Sequence, residues 1–134
     1  MTKDGVIADT SVWIVFFWDK QPIAGKLTAL IENHQAFLTG VVLAEILQGI
    51  KNTREEKRIL EAVLGVPDLE ISNHVWAKTG QMSALLRRKG INIPLTDAAL
   101  AVLCFEHSFS LFTLDKHFEG ISGVKLCISN REVP

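Results

Sequence analysis

The sequence predicts an α/β domain in three layers, a central parallel sheet with helices on both faces. Three observations predict it. Short apolar runs that read as strands alternate with longer segments of helical period. The runs are separated by helices, as the strands of a parallel sheet covered on both faces are. The chain has 134 residues and carries no repeat, low-complexity stretch or linker, so a single domain spanning 1–134 is expected.

Each element follows from local chemistry. Val6-Ile7-Ala8 ends at Asp9-Thr10-Ser11, a strand feeding a helix that any of these three side chains can cap. Residues 12–18 are apolar around the whole circumference, so this helix needs cover on more than one side. That cover comes from the domain's own core or, in part, from a second chain. A helix over 23–33 leads to a strand at Ala36-Phe37-Leu38. Over 41–50, Val42, Leu43, Ile46, Leu47 and Ile50 keep the helical period. Asn52 and Thr53 punctuate before a charged helix over 54–64, and Leu69-Glu70-Ile71 reads as a third strand. Ser72 or Asn73 caps a long helix lined by Val75, Trp76, Thr79, Met82 and Leu86, which Gly90 stops. Thr96 caps an almost wholly apolar helix over 97–107. A strand at 110–113, a helical turn at 115–119 and a last strand at 124–128 complete the domain.

Composition narrows the class. At 48% hydrophobic and 22% charged, the chain is ordinary for a globular domain. Cys104 and Cys127 cannot build a disulfide framework and lack paired zinc spacing, which fits a reducing compartment. The apolar run at 12–18 is too short to span a bilayer, so a cytoplasmic protein with no membrane partner is expected. The net charge of −1 lacks the overall basicity of a simple phosphate-backbone binder. Local patches remain: Lys51, Arg54, Lys57 and Arg58 form one, Arg87, Arg88 and Lys89 another, and Lys116 stands alone. Either patch contacts nucleic acid or simply solvates a helix end.

Four carboxylates carry the candidate chemistry: Asp9, Glu45, Asp97 and Asp115. Asp9 and Asp115 fall just past the C-terminal ends of predicted strands, and Asp97 at the start of a helix on the same sheet. In an open parallel sheet those positions share the edge where ligands bind. Each acid also has an ordinary structural reading. Asp is a common helix cap, worth roughly 0.5–2 kcal/mol. Glu45, at the margin of its helix's apolar stripe, reads by pattern as solvated. Gathered at one edge, however, the acids repel, and each pKa rises unless a cation compensates. Hard, oxygen-preferring Mg²⁺ or Mn²⁺ suits such a set. Either ion supports phosphodiester hydrolysis, and no covalent nucleophile is needed.

The local sequences around these acids carry a resemblance. Val6-Ile7-Ala8-Asp9-Thr10-Ser11-Val12-Trp13-Ile14 resembles the opening of PIN-domain proteins. Ala44-Glu45-Ile46 is similar to their second acidic motif, and Pro94-Leu95-Thr96-Asp97-Ala98-Ala99-Leu100-Ala101 to their third. Leu111-Phe112-Thr113-Leu114-Asp115-Lys116-His117-Phe118 resembles their fourth. The order holds across nearly the whole chain, and the similarity is greatest to VapC-type toxins of toxin–antitoxin pairs.

The resemblance implies a PIN-like α/β/α fold and an Mg²⁺- or Mn²⁺-dependent endoribonuclease. It implies Asp9, Glu45, Asp97 and Asp115 as the catalytic and metal-binding set. Asp9 and Asp97 are the expected direct ligands; Glu45 and Asp115 bind a second ion or help position the attacking water. Thr10, Ser11 and Thr113 are expected as supporting hydrogen-bond donors, with plain capping as their alternative role. Many relatives carry a further acid where this chain has His117, which leaves open the number of ions and the role of that imidazole. By its usual occurrence, a lone His is structural or superficial.

The implied substrate is a structured transfer or ribosomal RNA, and the implied partners are a second copy and an antitoxin. The antitoxin is expected to pack on the helix of Trp13, Phe16, Phe17 and Trp18 and to obstruct the acidic pocket with an Arg or Lys. Two other classes are weighed. A non-catalytic binding or regulatory module keeps the fold and uses the acids only as caps. A phosphoacceptor receiver domain is disfavoured because no adjacent acidic pair follows the first strand.

Overall fold

The computed structural model describes residues 4–127. Along the chain run β1 (Val6–Ala8), α1 (Thr10–Phe17), α2 (Ile23–Glu32), β2 (Ala36–Thr39), α3 (Gly40–Gln48) and α4 (Thr53–Val63). β3 (Asp68–Leu69), α5 (Asn73–Arg88), α6 (Leu95–His107) and β4 (Ser110–Phe112) follow, then a 3₁₀ turn over Lys116–Gly120. All strand pairings are parallel, in the order β3-β2-β1-β4. The predicted α/β/α architecture with a central parallel sheet is what the chain adopts.

The strand order explains where a site can form. From β1 the chain steps outward through β2 to β3, then returns across the sheet to place β4 on the other side of β1. Right-handed crossovers running in opposite directions put their helices on opposite faces. Accordingly α1 packs with α2 and α3, while α5 packs with α6, which lies on β1 and β4. The direction reverses at β1, and a crevice opens beyond the strand ends at such a switch point.

Apolar packing fixes this frame. Ile7, Val12, Trp13, Leu27, Val42, Leu103, Leu111, Phe112 and Phe118 are fully buried. α6 is buried from Ala98 through Cys104, as its apolar sequence predicts. Helix ends are set by side chains: Asp9 accepts from Val12 N–H at 3.2 Å, Thr39 from Val42 at 3.3 Å, and Ser72 from Val75 at 3.3 Å. At the end of α5, Gly90 takes φ +80°. Ile91 and Gly90 donate backward to Leu86 and Arg87, closing the left-handed turn that glycine favours.

Several expectations need correction. The strand expected at 124–128 is a single parallel bridge between Leu126 and Leu111, and Ile128 lies outside the described residues. The third strand is Asp68–Leu69 rather than 69–71. Thr96 does not cap α6: the helix begins at Leu95, and the Pro94 carbonyl accepts from Ala98. Proline's fixed φ and missing N–H suit it to a helix start. Trp76 is 37% exposed, and Ser83 joins Val75, Thr79 and Leu86 on the buried face of α5.

Candidate active site

The site grows from the end of β1. Asp9 directly follows the strand, its N–H donating to the Phe112 carbonyl at 3.0 Å, so the β1–β4 ladder continues into the crevice. The side chain is only 4% exposed. Its Oδ1 accepts from Val12 N–H and, at 2.5 Å, from the Ser11 hydroxyl, while the Thr113 hydroxyl donates to Oδ2. A carboxylate oxygen has about two acceptor positions, so Oδ2 retains one for a ligand.

The same hydroxyls draw in the segment after β4. The Asp115 N–H donates to Thr113 Oγ1 at 3.0 Å, and Leu114 N–H to Ser11 Oγ at 3.1 Å. On the other flank, the Thr10 hydroxyl donates to Glu45 Oε1 at 2.8 Å, binding α1 to α3. Thr10, Ser11 and Thr113 thus each hold one of the four acids. Glu45 is half-buried, not the fully solvated residue its helical pattern alone suggests.

Asp97 enters from the first turn of α6. His117 Nε2 lies 2.8 Å from its Oδ2, and His117 Nδ1 lies 3.6 Å from Asp115 Oδ1. One ligand atom from each of Asp97, Asp115 and His117 lies within 4.8 Å of the others. Nothing local links His117 to Asp97, because that partner comes from α6. The only hint was its position two residues past Asp115, where many relatives have an acid.

The electrostatics join all four acids. Burial raises the Asp9 pKa above the ordinary carboxylate value; bonds from Ser11, Thr113 and Val12 oppose this, and the charge of Asp115 adds to it. Burial also raises Asp97, against the hydrogen bond and charge of His117, with Glu45 and Asp115 pushing upward. Carboxylates held this way gain from a nearby cation. The donor chemistry, carboxylate oxygens with one imidazole, fits a divalent ion.

Beside Glu45 lies a cavity of about 400 Å³, lined by Ile14, Phe17, Trp18 and Ile46, with Lys51 and Arg58 at its edge. Arg58 donates to the Phe17 carbonyl at 2.7 Å and sits over the Phe17 ring. Arg87 and Arg88 instead lie exposed in the last turn of α5, where the helix dipole favours cations.

Fold and site together define an α/β/α protein with hydrogen-bonded acidic side chains at the switch point of its sheet. The chain belongs to the PIN domain family, whose model matches residues 6–124. No curated protein sequence matches it. Among solved structures, VapBC2 from Rickettsia felis bound to a promoter DNA fragment is 19% identical, with a TM-score of 0.77 over 90% of this chain and 96% of that one. DNA-bound VapBC from Salmonella typhimurium is 20% identical, with a TM-score of 0.77 over 92% and 97%. VapC20 of Mycobacterium tuberculosis, described as a sarcin-ricin loop cleaving toxin, is 13% identical, with a TM-score of 0.68 over 91% and 98%. At these identities the likeness concerns the fold.

Proposed function

We propose that this protein is a metal-dependent endoribonuclease acting on structured RNA, and the toxin of a toxin–antitoxin pair. The reading is supported most by the hydrogen-bonded array in which Ser11 and Thr113 tie Asp9 to the segment of Asp115, His117 links Asp115 to Asp97, and Thr10 holds Glu45. Family membership and the toxin–antitoxin complexes among the structural neighbours support it. A divalent cation, Mg²⁺ or Mn²⁺, would supply Lewis acidity for water activation and for the leaving oxygen. Asp9, through its free Oδ2 position, and Asp97 hold it. Glu45 and Asp115 hold a second cation or orient the attacking water, and Thr10, Ser11 and Thr113 fix those carboxylates in place. Lys51 and Arg58 sit where the RNA backbone approaches Glu45.

The partners in this reading are RNA, an antitoxin and a second copy of the chain, all met in the cytoplasm. The partly exposed aromatic end of α1 supports a protein partner, since Trp18 is 63% exposed.

Sequencing RNA ends after brief expression tests the activity. New ends at a few sites are expected with the native chain, and none with Asp9→Asn or Asp97→Asn of unchanged circular dichroism. In purified form, each variant loses more than about 100-fold in cleavage rate, beyond the usual loss for an outer-shell contact. Intact RNA with the native chain and added Mn²⁺ overturns the reading and leaves a non-catalytic module.

A further inference from the structure

The cavity beside Glu45 combines aromatic faces with both signs of charge. Phe17 and Trp18 come from the end of α1, and Lys51, Glu55 and Arg58 from the start of α4 and the residues before it. At about 400 Å³ it falls within the roughly 300–1,000 Å³ of small-ligand clefts. Glu45 belongs both to this wall and to the acids, since Thr10 ties it to α1 and its charge acts on Asp97. A nucleic-acid strand with a phosphate at the acids therefore brings a neighbouring nucleotide to the cavity.

The polar groups of the wall are held in place. Arg58 donates to the Phe17 carbonyl at 2.7 Å, with its guanidinium 5.8 Å from the centre of that ring. One of its five N–H donors is used there, and the rest face outward partners. Lys20 Nζ stands 5.2 Å from the centre of the Trp18 ring, and Trp18 is 63% exposed. Glu55 is half-buried. Its N–H donates to Asn52 Oδ1 at 2.8 Å, and its Oε2 accepts from Lys51 N–H at 3.4 Å, which leaves acceptor positions on both oxygens.

This composition distinguishes between occupants. The core of a protein interface is depleted of charge, whereas four of the ten residues lining this cavity are ionisable. An unstacked base uses all of them: flat faces to stack on, cations for its phosphate and polar atoms for its edge. We infer that the cavity takes the base of one unpaired nucleotide next to the cut. The base stacks against Trp18 and the Arg58–Phe17 pair, Lys51 meets its phosphate, and Glu55 reads its pairing edge. Guanine presents adjacent N–H donors on that edge, which one carboxylate accepts together. Uracil places its only donor between carbonyl oxygens, which a carboxylate repels. The preferred target is therefore a loop or single strand with guanine beside the scissile bond. This rests on the ribonuclease reading above. A protein partner resting on Trp18 would compete with that base.

The test treats total bacterial RNA with the purified full chain and Mn²⁺ and sequences the new ends; kinetics follow on a hairpin carrying the site cut most. The native chain is expected to cut unpaired segments, with guanine enriched at one position beside the cut. Glu55→Gln keeps the shape but replaces an all-acceptor group by one donor and one acceptor. It is expected to lower the guanine preference roughly tenfold or more and move it toward adenine, which a merely structural role would not do. Trp18→Ala is expected to raise KM for the hairpin roughly tenfold and to lower kcat less. Cutting by the native chain with no base preference beside the cut, or the same preference and KM in both variants, overturns the inference. The ribonuclease reading then survives and the cavity is left to a protein partner alone. If the native chain leaves the RNA intact, both fall.

Discussion

Asp9 serves two purposes that oppose each other. Its Oδ1 caps α1, which stabilises the fold, while its charge sits at 4% exposure beside Asp115, which does the reverse. The sign follows from linkage. Burial raises its pKa above the ordinary carboxylate value, so the folded chain holds the proton more tightly than the unfolded chain. The cost of ionised Asp9 is complete above the raised pKa and fades as pH falls through it. Asn keeps the capping oxygen and drops the charge. Metal-free Asp9→Asn is therefore expected to melt a few degrees above the native protein near neutral pH, with the gap closing on acidification. Saturating Mn²⁺ should reverse the order, because a ligand at 100 times its Kd adds about 2.7 kcal/mol to the native chain alone. Thermal melts at several pH values with and without Mn²⁺ check this; a gap that ignores both disproves it. At this scale the sequence was informative about the acids and poor on their surroundings. Asp9 could be recognised from the strand–Asp–hydroxyl pattern. That the Thr113 hydroxyl reaches Asp9 from the end of the neighbouring strand, and that His117 meets Asp97, depends on segments far apart in sequence.

Among elements, the short turn after β4 matters out of proportion to its length. Lys116–Gly120 has no capping side-chain bond at its start, and its anchor is the fully buried Phe118. Phe118→Ala is expected to cost about 3–5 kcal/mol in denaturant unfolding and to release His117 from Asp97. The His117 side-chain resonances would then shift toward those of a free imidazole; an unmoved spectrum counts against the anchor. Element prediction followed how strongly each pattern was written. α6, apolar from Ala98 through Cys104, and α5, closed at Gly90, were plain in the chain. The expected strand at 124–128 was less so, since apolar residues there also satisfy packing beneath a loop, and Leu126 makes a single bridge. Thr96 was a reasonable cap by residue type, but Pro94 had already set the chain for a helix two residues earlier.

For the whole molecule, α1 divides its apolar surface between the core and the outside. Val12 and Trp13 are buried, Phe16 and Phe17 half-buried, and Trp18 is 63% exposed beside the cavity near Glu45. The circumference of this helix correctly signalled a need for cover, but the sequence could not apportion it between core and partner. Trp18→Ser is expected to change unfolding by no more than about 0.5 kcal/mol, as at other surface positions. It should weaken binding to the proposed antitoxin at least tenfold, about 1.4 kcal/mol, as loss of an aromatic anchor does. Calorimetry and light scattering on the purified pair measure both effects; tight binding by a folded Trp18→Ser chain removes this helix end from the interface. The order of the strands has a final consequence. Among the described residues, β4 is the last strand to be made, yet it lies against β1, the first. Translation that stalls ahead of Ser110 leaves a product lacking Thr113, Asp115 and His117 together, while Asp9, Glu45 and Asp97 are already present. For a chain proposed to cut RNA, activity is therefore expected only once β4 and the turn that follows it have been made.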